Sequence, residues 1–283
     1  MDSKNAARPL LVIDGDSFAH RAYHGLPKTI RRAGDKGAGA ILGFANYLLR
    51  LYGERPRAVV VGWDTLEAPN WRVLEFPGYQ GGRSFDDELL EQLDVLPVFV
   101  QACGFAVAKA PGYEADDFLA AAVAIAERRG WTTLVASGDR DTFQLASEFT
   151  TILYPVKAGE IARIGPEEVR DRYGVEPSQV PDFIALRGDP SDRIPGARGV
   201  GAQTAARLLS RFANLEEMIA NERFPTQAED LRLYRRIATM DATAPLPAIS
   251  DHRPTWEAAA ALAREWELNE LAERLARMAA QDA

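Results

Sequence analysis

Nine acidic side chains fall at points where the chain changes direction. Asp14 closes "PLLVID" and Asp64 closes "RAVVVGWD". Glu114, Asp116 and Asp117 sit together in "GYEADDFLA", Asp139 and Asp141 in "SGDRD", and Asp189 and Asp192 in "RGDPSDRIPG". Each has a local reading: acids at a helix start cap it and complement its dipole, and an Asp after a strand is often a turn residue. Gathered in one cleft, however, they would repel one another by several kcal/mol unless a cation stood among them. A donor set made only of oxygen selects Mg²⁺ or Mn²⁺ over zinc, and His20, His24 and His252 do not form a zinc spacing. Two such groups of carboxylates suit two hard cations about 3.5–4 Å apart, which clamp a phosphodiester and activate water. Neither a Walker A lysine motif nor a GxGxxG is present, so a nucleotide-cofactor reading has little support.

The elements that must position these acids follow from hydrophobic period. Short β-branched runs occur at 9–14, 57–64, 104–109 and 131–137. Helical patterns lie between them at 39–53, 86–104 and 114–130, each ending in glycine, the usual residue after a helix C-terminus. This alternation predicts an α/β fold with a mostly parallel sheet covered by helices. Ligands of such sheets bind beyond the C-terminal strand ends, where the acids recur. After about residue 165 the strands stop and short helices punctuated by Gly and Pro take over.

The chain has 283 residues, 47% of them apolar and 26% charged, with a formal charge of −8. It can bury a normal core. The acidic balance argues against a nucleic-acid partner, or else reflects carboxylates gathered for metal. A single cysteine, Cys103, excludes an internal disulfide and fits a reducing, cytoplasmic setting. The apolar run Leu10–Ile13 is too short for a signal-peptide core or a membrane span. Monomer is the default.

Local charge departs from the global balance. Between Arg187 and Arg211 there are five arginines against two aspartates, and Lys28, Arg31, Arg32 and Lys36 form a second basic segment. Either is ordinarily a solvated face, yet both lie where a duplex grip would be needed. In "RIPGARGVGAQTAARLLSRF", Gly196, Gly199 and Gly201 precede a helix with Thr204 near its start. Small residues there let a phosphate backbone approach the helix amides; the alternative is a helical hairpin with a glycine turn.

Taken in order, "LLVIDGDSFAHRAYH", "VVVGWDT", "GYQGGR", "APGYEADDFLA", "ASGDRDTFQL" and "RGDPSDRIPGARGVGAQTAARLL" resemble the 5′-nuclease (flap endonuclease) family, similar to the 5′–3′ exonuclease domain of bacterial DNA polymerase I. The resemblance runs from about residue 9 to at least 220. It implies a PIN-like nuclease core over 1–172 with an arch or loop near 76–103. It also implies a helical DNA-binding region over 173–283, with a helix-three-turn-helix module at roughly 182–212 carrying Arg198 and the three glycines. Asp14, Asp64, Glu114, Asp116 and Asp117 would hold or orient a first metal ion; Asp139, Asp141, Asp189 and Asp192 would serve a second. A K⁺ ion at the helix-three-turn-helix belongs to the same picture. Substrates would be DNA with 5′ flaps, nicks or 5′ ends, in replication and repair. In the loop "FPGYQGGR", Tyr79 matches an aromatic that stacks on a base and Arg83 a residue contacting the scissile phosphate. Gln80 departs from the pattern, which has lysine there; the charge that lysine brings to the transition state is missing. Two further readings follow: a DNA-structure-binding protein with weak or no catalysis, and a PIN-type ribonuclease.

Overall fold

The computed structural model describes residues 8–65, 68–81, 85–156 and 159–282. A six-stranded sheet has the order β5-β4-β1-β6-β7-β8, built from β1 (Leu10–Asp14), β4 (Ala58–Gly62), β5 (Ala106–Ala108), β6 (Thr133–Ala136), β7 (Thr150–Pro155) and β8 (Ile161–Ile164). All neighbours pair in parallel except β7 and β8. Strands β2 (Arg31–Arg32) and β3 (Lys36–Gly37) form a separate small hairpin. The helices are α1 (Gly15–Gly25), α2 (Gly39–Tyr52), α3 (Trp71–Glu75), α4 (Asp87–Ala102), α5 (Ala115–Arg128), α6 (Pro166–Tyr173), α7 (Val180–Arg187), α8 (Ala202–Arg211), α9 (Leu215–Ala220), α10 (Ala228–Ala238), α11 (Trp256–Glu265) and α12 (Asn269–Asp282). Among the described residues no helix is long and apolar enough to cross a membrane.

β1 and β4 are buried at every position because helices cover both faces of the sheet. Successive side chains alternate between two cores. Leu10, Val12 and Val60 face one that includes Phe118, Phe183, Leu209 and Leu231. Leu11, Ile13, Val59 and Val61 face another that includes Phe18, Phe44, Phe99 and Trp256. The chain closes on itself, since α11 and α12 return to pack in the second core, with α11 against α4. The stretch "RPTWEAAAALAREWELNELAERLARM" (253–278) carries two helices, separated after Trp266 by Glu267 at φ +59°. The strand pattern of the sequence misses the antiparallel β7–β8 pair. Its β-branched run "TTILYP" is followed by Gly159 and then "IARI", a signal the reading by strand–helix alternation passes over.

Two glycines set how close the acid-bearing segments come. A methyl group on Gly62 would lie 2.8 Å from the Ala115 carbonyl oxygen, so a bare Cα lets the start of α5 sit on the end of β4. On Gly15 it would lie 2.6 Å from the Trp63 ring, which fixes Trp63 beneath the start of α1. Asp64 follows two residues after β4 and is thereby held beside Asp14 and Glu114.

The two halves of the chain meet at Arg72 in α3. Its buried guanidinium donates to Asp117 through both Nη atoms (2.7 and 2.8 Å), to Glu114 (2.8 Å), and to the carbonyl oxygens of Ile237 (2.9 Å) and Thr239 (3.3 Å) at the end of α10. Asp117 in turn accepts from the Glu114 and Asp241 amides. An arginine supplies five donors in one plane, and this site uses them in three directions. Replacing Arg72 by Met leaves two carboxylates buried without a counter-charge. Arg72→Met is therefore expected to lower stability by about 3–5 kcal/mol, read by denaturant unfolding.

Candidate active site

Asp14, Asp16, Asp64, Glu114, Asp116, Asp139, Asp141 and Asp192 line one cleft of about 720 Å³, together with Arg21, Arg72, Tyr79, Gln80 and the Ile237–Ala238 end of α10. The cleft lies at the C-terminal edge of the parallel strands, since Asp14 ends β1 and Ser137 to Asp141 follow β6. Asp189 is one step away, on a neighbouring pocket of about 380 Å³ that shares Gly138, Asp139 and Asp141 with the cleft. Eight of the nine acids singled out in the sequence thus belong to one connected site.

Local hydrogen bonds fix several of these carboxylates. Asp14 caps α1, accepting from the Ser17 amide at 2.9 Å and from the Ser137 hydroxyl at 2.6 Å. Asp64 accepts from the Ala115 amide at 2.7 Å, and its own amide donates to Asp16 at 2.7 Å. Asp139 accepts from the Asp141 amide at 3.0 Å. Asp189 accepts from Arg187 at 3.1 Å and from the Ser191 amide at 2.8 Å.

Crowding shows in the proton affinities. Burial first, and then the charges of Asp64 and Asp139, push Asp14 up to about 7 against the pull of Ser137 and Ser17. Burial, with Asp64, Asp117 and Asp192, pushes Glu114 up to about 8 although Arg72 opposes it. Asp16, Asp116 and Asp141 are raised well above the carboxylate range, again by burial first and by neighbouring acids second. Asp116 Oδ1 is buried with no hydrogen-bond partner. An all-oxygen donor set with an orphaned buried acceptor fits a hard divalent cation. Among the described residues no three of these groups are already drawn together as ion ligands. Glu114 instead accepts from Arg72 at 2.8 Å.

Several expectations need correction. Asp117 is not a ligand facing the cleft; it is fully buried, and Arg72 and two backbone amides occupy its oxygens. Tyr79 is not an exposed stacking platform: it is buried, its ring joins the first core, and its hydroxyl donates to Glu114 at 3.1 Å. Gln80, with φ +47°, donates its side-chain amide to the Tyr79 hydroxyl (2.9 Å) and to Asp192 (3.2 Å). Arg83 lies outside the described residues. Of the segment near 76–103, α4 packs Leu89, Leu93, Leu96, Phe99 and Val100 into the second core.

The basic segment 28–36 is largely neutralised. Arg32 is buried against Glu91 at 2.8 Å, Lys36 pairs with the same Glu91 at 2.7 Å, and Arg31 pairs with Glu88. Lys28 donates to the Tyr23 carbonyl oxygen at 2.9 Å. The acids of the first turns of α4 cancel this run, an effect a one-dimensional charge count misses. By contrast Gly196, Arg198, Gly199 and Gly201 line a groove of about 550 Å³ with Gln227, Asp230 and Tyr234 of the α10 region, and Thr204 stands in the first turn of α8. Gly199, in the left-handed region at φ +74°, and Gly201 have open space where a side chain would be. Gly196 (φ +78°) is instead a packing glycine, since a methyl group there would lie 2.5 Å from the Gly188 nitrogen.

Asp16, Arg21 and Arg72 escaped sequence reading. Asp16 follows Asp14 by two residues and passes for a helix-dipole acid; its signal was the repeat of acids in "DGDS". Arg72 is the single cation in "APNWRVLEF", with Trp71 before it and Val73 and Leu74 after it, apolar neighbours that go with a buried charge.

A family model for the 5′-3′ exonuclease N-terminal resolvase-like domain matches residues 9–174, and one for the 5′-3′ exonuclease C-terminal SAM fold matches 175–260. The chain is 39% identical over 224 residues to DNA polymerase I of Mycobacterium tuberculosis, covering 77% of this chain and 25% of that protein. It is 33% identical over 247 residues to the thermostable DNA polymerase I of Thermus aquaticus, covering 84% and 29%. The chain therefore spans about a quarter to 30% of the length of these relatives. Among solved structures, bacteriophage T5 5′-exonuclease with bound zinc superposes with a TM-score of 0.69 at 18% identity, covering 95% of this chain and 99% of that one. Human GEN1 in complex with Holliday junction DNA gives 0.62 at 15%, covering 96% and 71%. At those identities the likeness is one of fold. With both family models matching in sequence and together spanning residues 9–260, the chain belongs to the 5′-3′ exonuclease family.

Proposed function

We propose that the chain is a divalent-metal-dependent, structure-specific 5′-3′ exonuclease and flap endonuclease that hydrolyses DNA phosphodiesters in replication and repair. One observation carries this most: carboxylates from the ends of β1, β4 and β6 and from the start of α5 share a cleft, and Asp116 Oδ1, itself buried, has no hydrogen-bond partner. Asp14, Asp64, Glu114 and Asp116 form one ligand group; Asp139, Asp141, Asp189 and Asp192 form the other. Bound ions would polarise the phosphoryl oxygens and lower the pKa of the attacking water. Mg²⁺ or Mn²⁺ suits the donor set, and the K⁺ implied for the turn between α7 and α8 belongs to the same proposal.

The chain's own residues prepare that site. Ser17 and Ser137 orient Asp14, Asp16 fixes the backbone of Asp64, and Arg72 holds Glu114 against its neighbours. Gln80 ties the loop before α4 to Asp192. The groove along Arg198, Gly199 and Gly201, with the amides of α8 beside it, receives the duplex backbone of a flap, nick or 5′ end. A binding-only reading rests on the neutrality of Gln80 alone and leaves the carboxylates without a use. A ribonuclease reading leaves the glycine groove unexplained. The protein acts as a monomer in this scheme.

Asp139→Asn should lower cleavage of a labelled 5′-flap DNA by at least about 100-fold while leaving DNA affinity within about threefold, because the groove is remote from the lost charge. Absence of wild-type cleavage with Mg²⁺ or Mn²⁺, in folded protein at enzyme excess, would refute the nuclease reading. A second expectation follows from proton linkage. Asp14 and Glu114 bind protons more tightly folded than unfolded, so their contribution is full below the ordinary carboxylate range and is lost as pH rises through about 7 to 8. The metal-free protein should lose melting temperature between about pH 5 and pH 8, and Mg²⁺ should raise it more at the upper end than at the lower. Calorimetry across that range checks both.

A further inference from the structure

Among the described residues, the cleft is poor in usable positive charge. Its lining guanidinium groups are Arg21 and Arg72. Arg72 is committed to Glu114 and Asp117. Arg21 stands on the β6 side, where a methyl group on Gly138 would lie 3.1 Å from its Nη2. The opposite rim is formed by the loop before α4 and the turn after Asp189, joined where the Gln80 amide donates to the Asp192 carbonyl oxygen at 3.2 Å. Gln80 itself is neutral and already spans Tyr79 and Asp192. A polyanion entering here meets eight carboxylates and, on this rim, no charge from residue 80.

The next residue along that turn is Arg193. Its backbone lies in the left-handed region at φ +58°, and its side chain reaches the facing loop. A methyl group on Gly81 would lie 3.3 Å from Arg193 Nη1 and 3.9 Å from Cζ, so the guanidinium rests against the residue that follows Gln80. Arg193 is exposed, and among the described residues it has no ion-pair partner. Its donors remain available for the paired oxygens of a phosphate.

We propose that Arg193 supplies the positive charge that Gln80 lacks, contacting the phosphate at the mouth of the cleft when DNA is bound. This rests on the nuclease reading above. The charge sits on the opposite side of the loop junction from residue 80, so the cation has in effect crossed from one strand of the rim to the other. Gln80 is then free to hold Asp192 and Tyr79, which a charged lysine beside Arg193 would do at the cost of like-charge repulsion.

The full-length protein with a labelled 5′-flap DNA and Mg²⁺ or Mn²⁺ tests this. Arg193→Gln should lower kcat/KM by about 100-fold with an unchanged melting temperature, and Arg193→Lys should recover most of that loss. Adding Gln80→Lys to Arg193→Gln should restore at least about tenfold, because a cation returns to the same rim; a merely structural role for Arg193 would give no such rescue. Arg193→Gln within about threefold of wild type, or a loss that Gln80→Lys leaves unrelieved, overturns the proposal while leaving the nuclease reading intact. If the wild type does not cleave, metal-free binding to the same flap decides: the salt dependence of affinity should fall by about one unit of slope in Arg193→Gln, and an unchanged slope overturns the proposal.

Discussion

A buried guanidinium with carboxylates on one side and helix-end carbonyls on the other is the constraint on which the rest of the molecule depends. Without Arg72, Glu114 and Asp117 would sit uncompensated in a core that also carries Phe118, and the end of α10 would keep its Gln144 and Asp117 bonds to the strand half but lose those from the guanidinium. Its opposite faces bind parts of the chain more than a hundred residues apart, Glu114 and Asp117 on one and Ile237 and Thr239 on the other. The same contact that makes a charge tolerable in the interior therefore also sets how the helical half stands relative to the strand ends. Structure and chemistry are not separable at this residue, because the carboxylate it anchors is one of those facing the cleft.

Much of this was legible in the sequence. Strand runs that end in acids gave the sheet edge, and glycine-closed helical periods gave the layers above and below it. The acids themselves were found because they recur at one kind of position. What escaped was pairing in three dimensions. Asp117 reads like Asp116, one residue away, but helix geometry turns adjacent residues about 100° apart, so one faces the cleft and the other faces Arg72. Arg32 reads like Arg31, yet strand alternation sends one inward to Glu91 and leaves the other outside. Tyr79 carries no mark in the sequence that separates a ring for stacking from a ring in the core. In each case the residue type was informative and the direction was not.

The electrostatics divide along the same lines. An acidic chain binds a polyanion only where the acids are locally outweighed or screened by ions. The hairpin at Arg31–Gly37 loses its charge to the start of α4, whereas the turn between α7 and α8 faces few acids. Arg187 is spent on Asp189 and on the rings of Tyr173 and Phe183, which leaves Arg193, Arg198 and the arginines of α8 to face outward. Charge in this protein is thus divided between outward-facing arginines on the helical half and a cluster of acids at the strand ends.

Helix α10 gives the glycine groove and the cleft a fixed separation. Asp230 and Tyr234 border the glycine groove, and Ile237 and Ala238 border the cleft. At a rise of about 1.5 Å per residue, the seven residues from Asp230 to Ile237 measure about 10 Å along a rigid rod. That is roughly three base-pair steps of a duplex. The molecule therefore carries its own ruler. The spacing between the glycine groove and the carboxylates is thus set by the length of one helix.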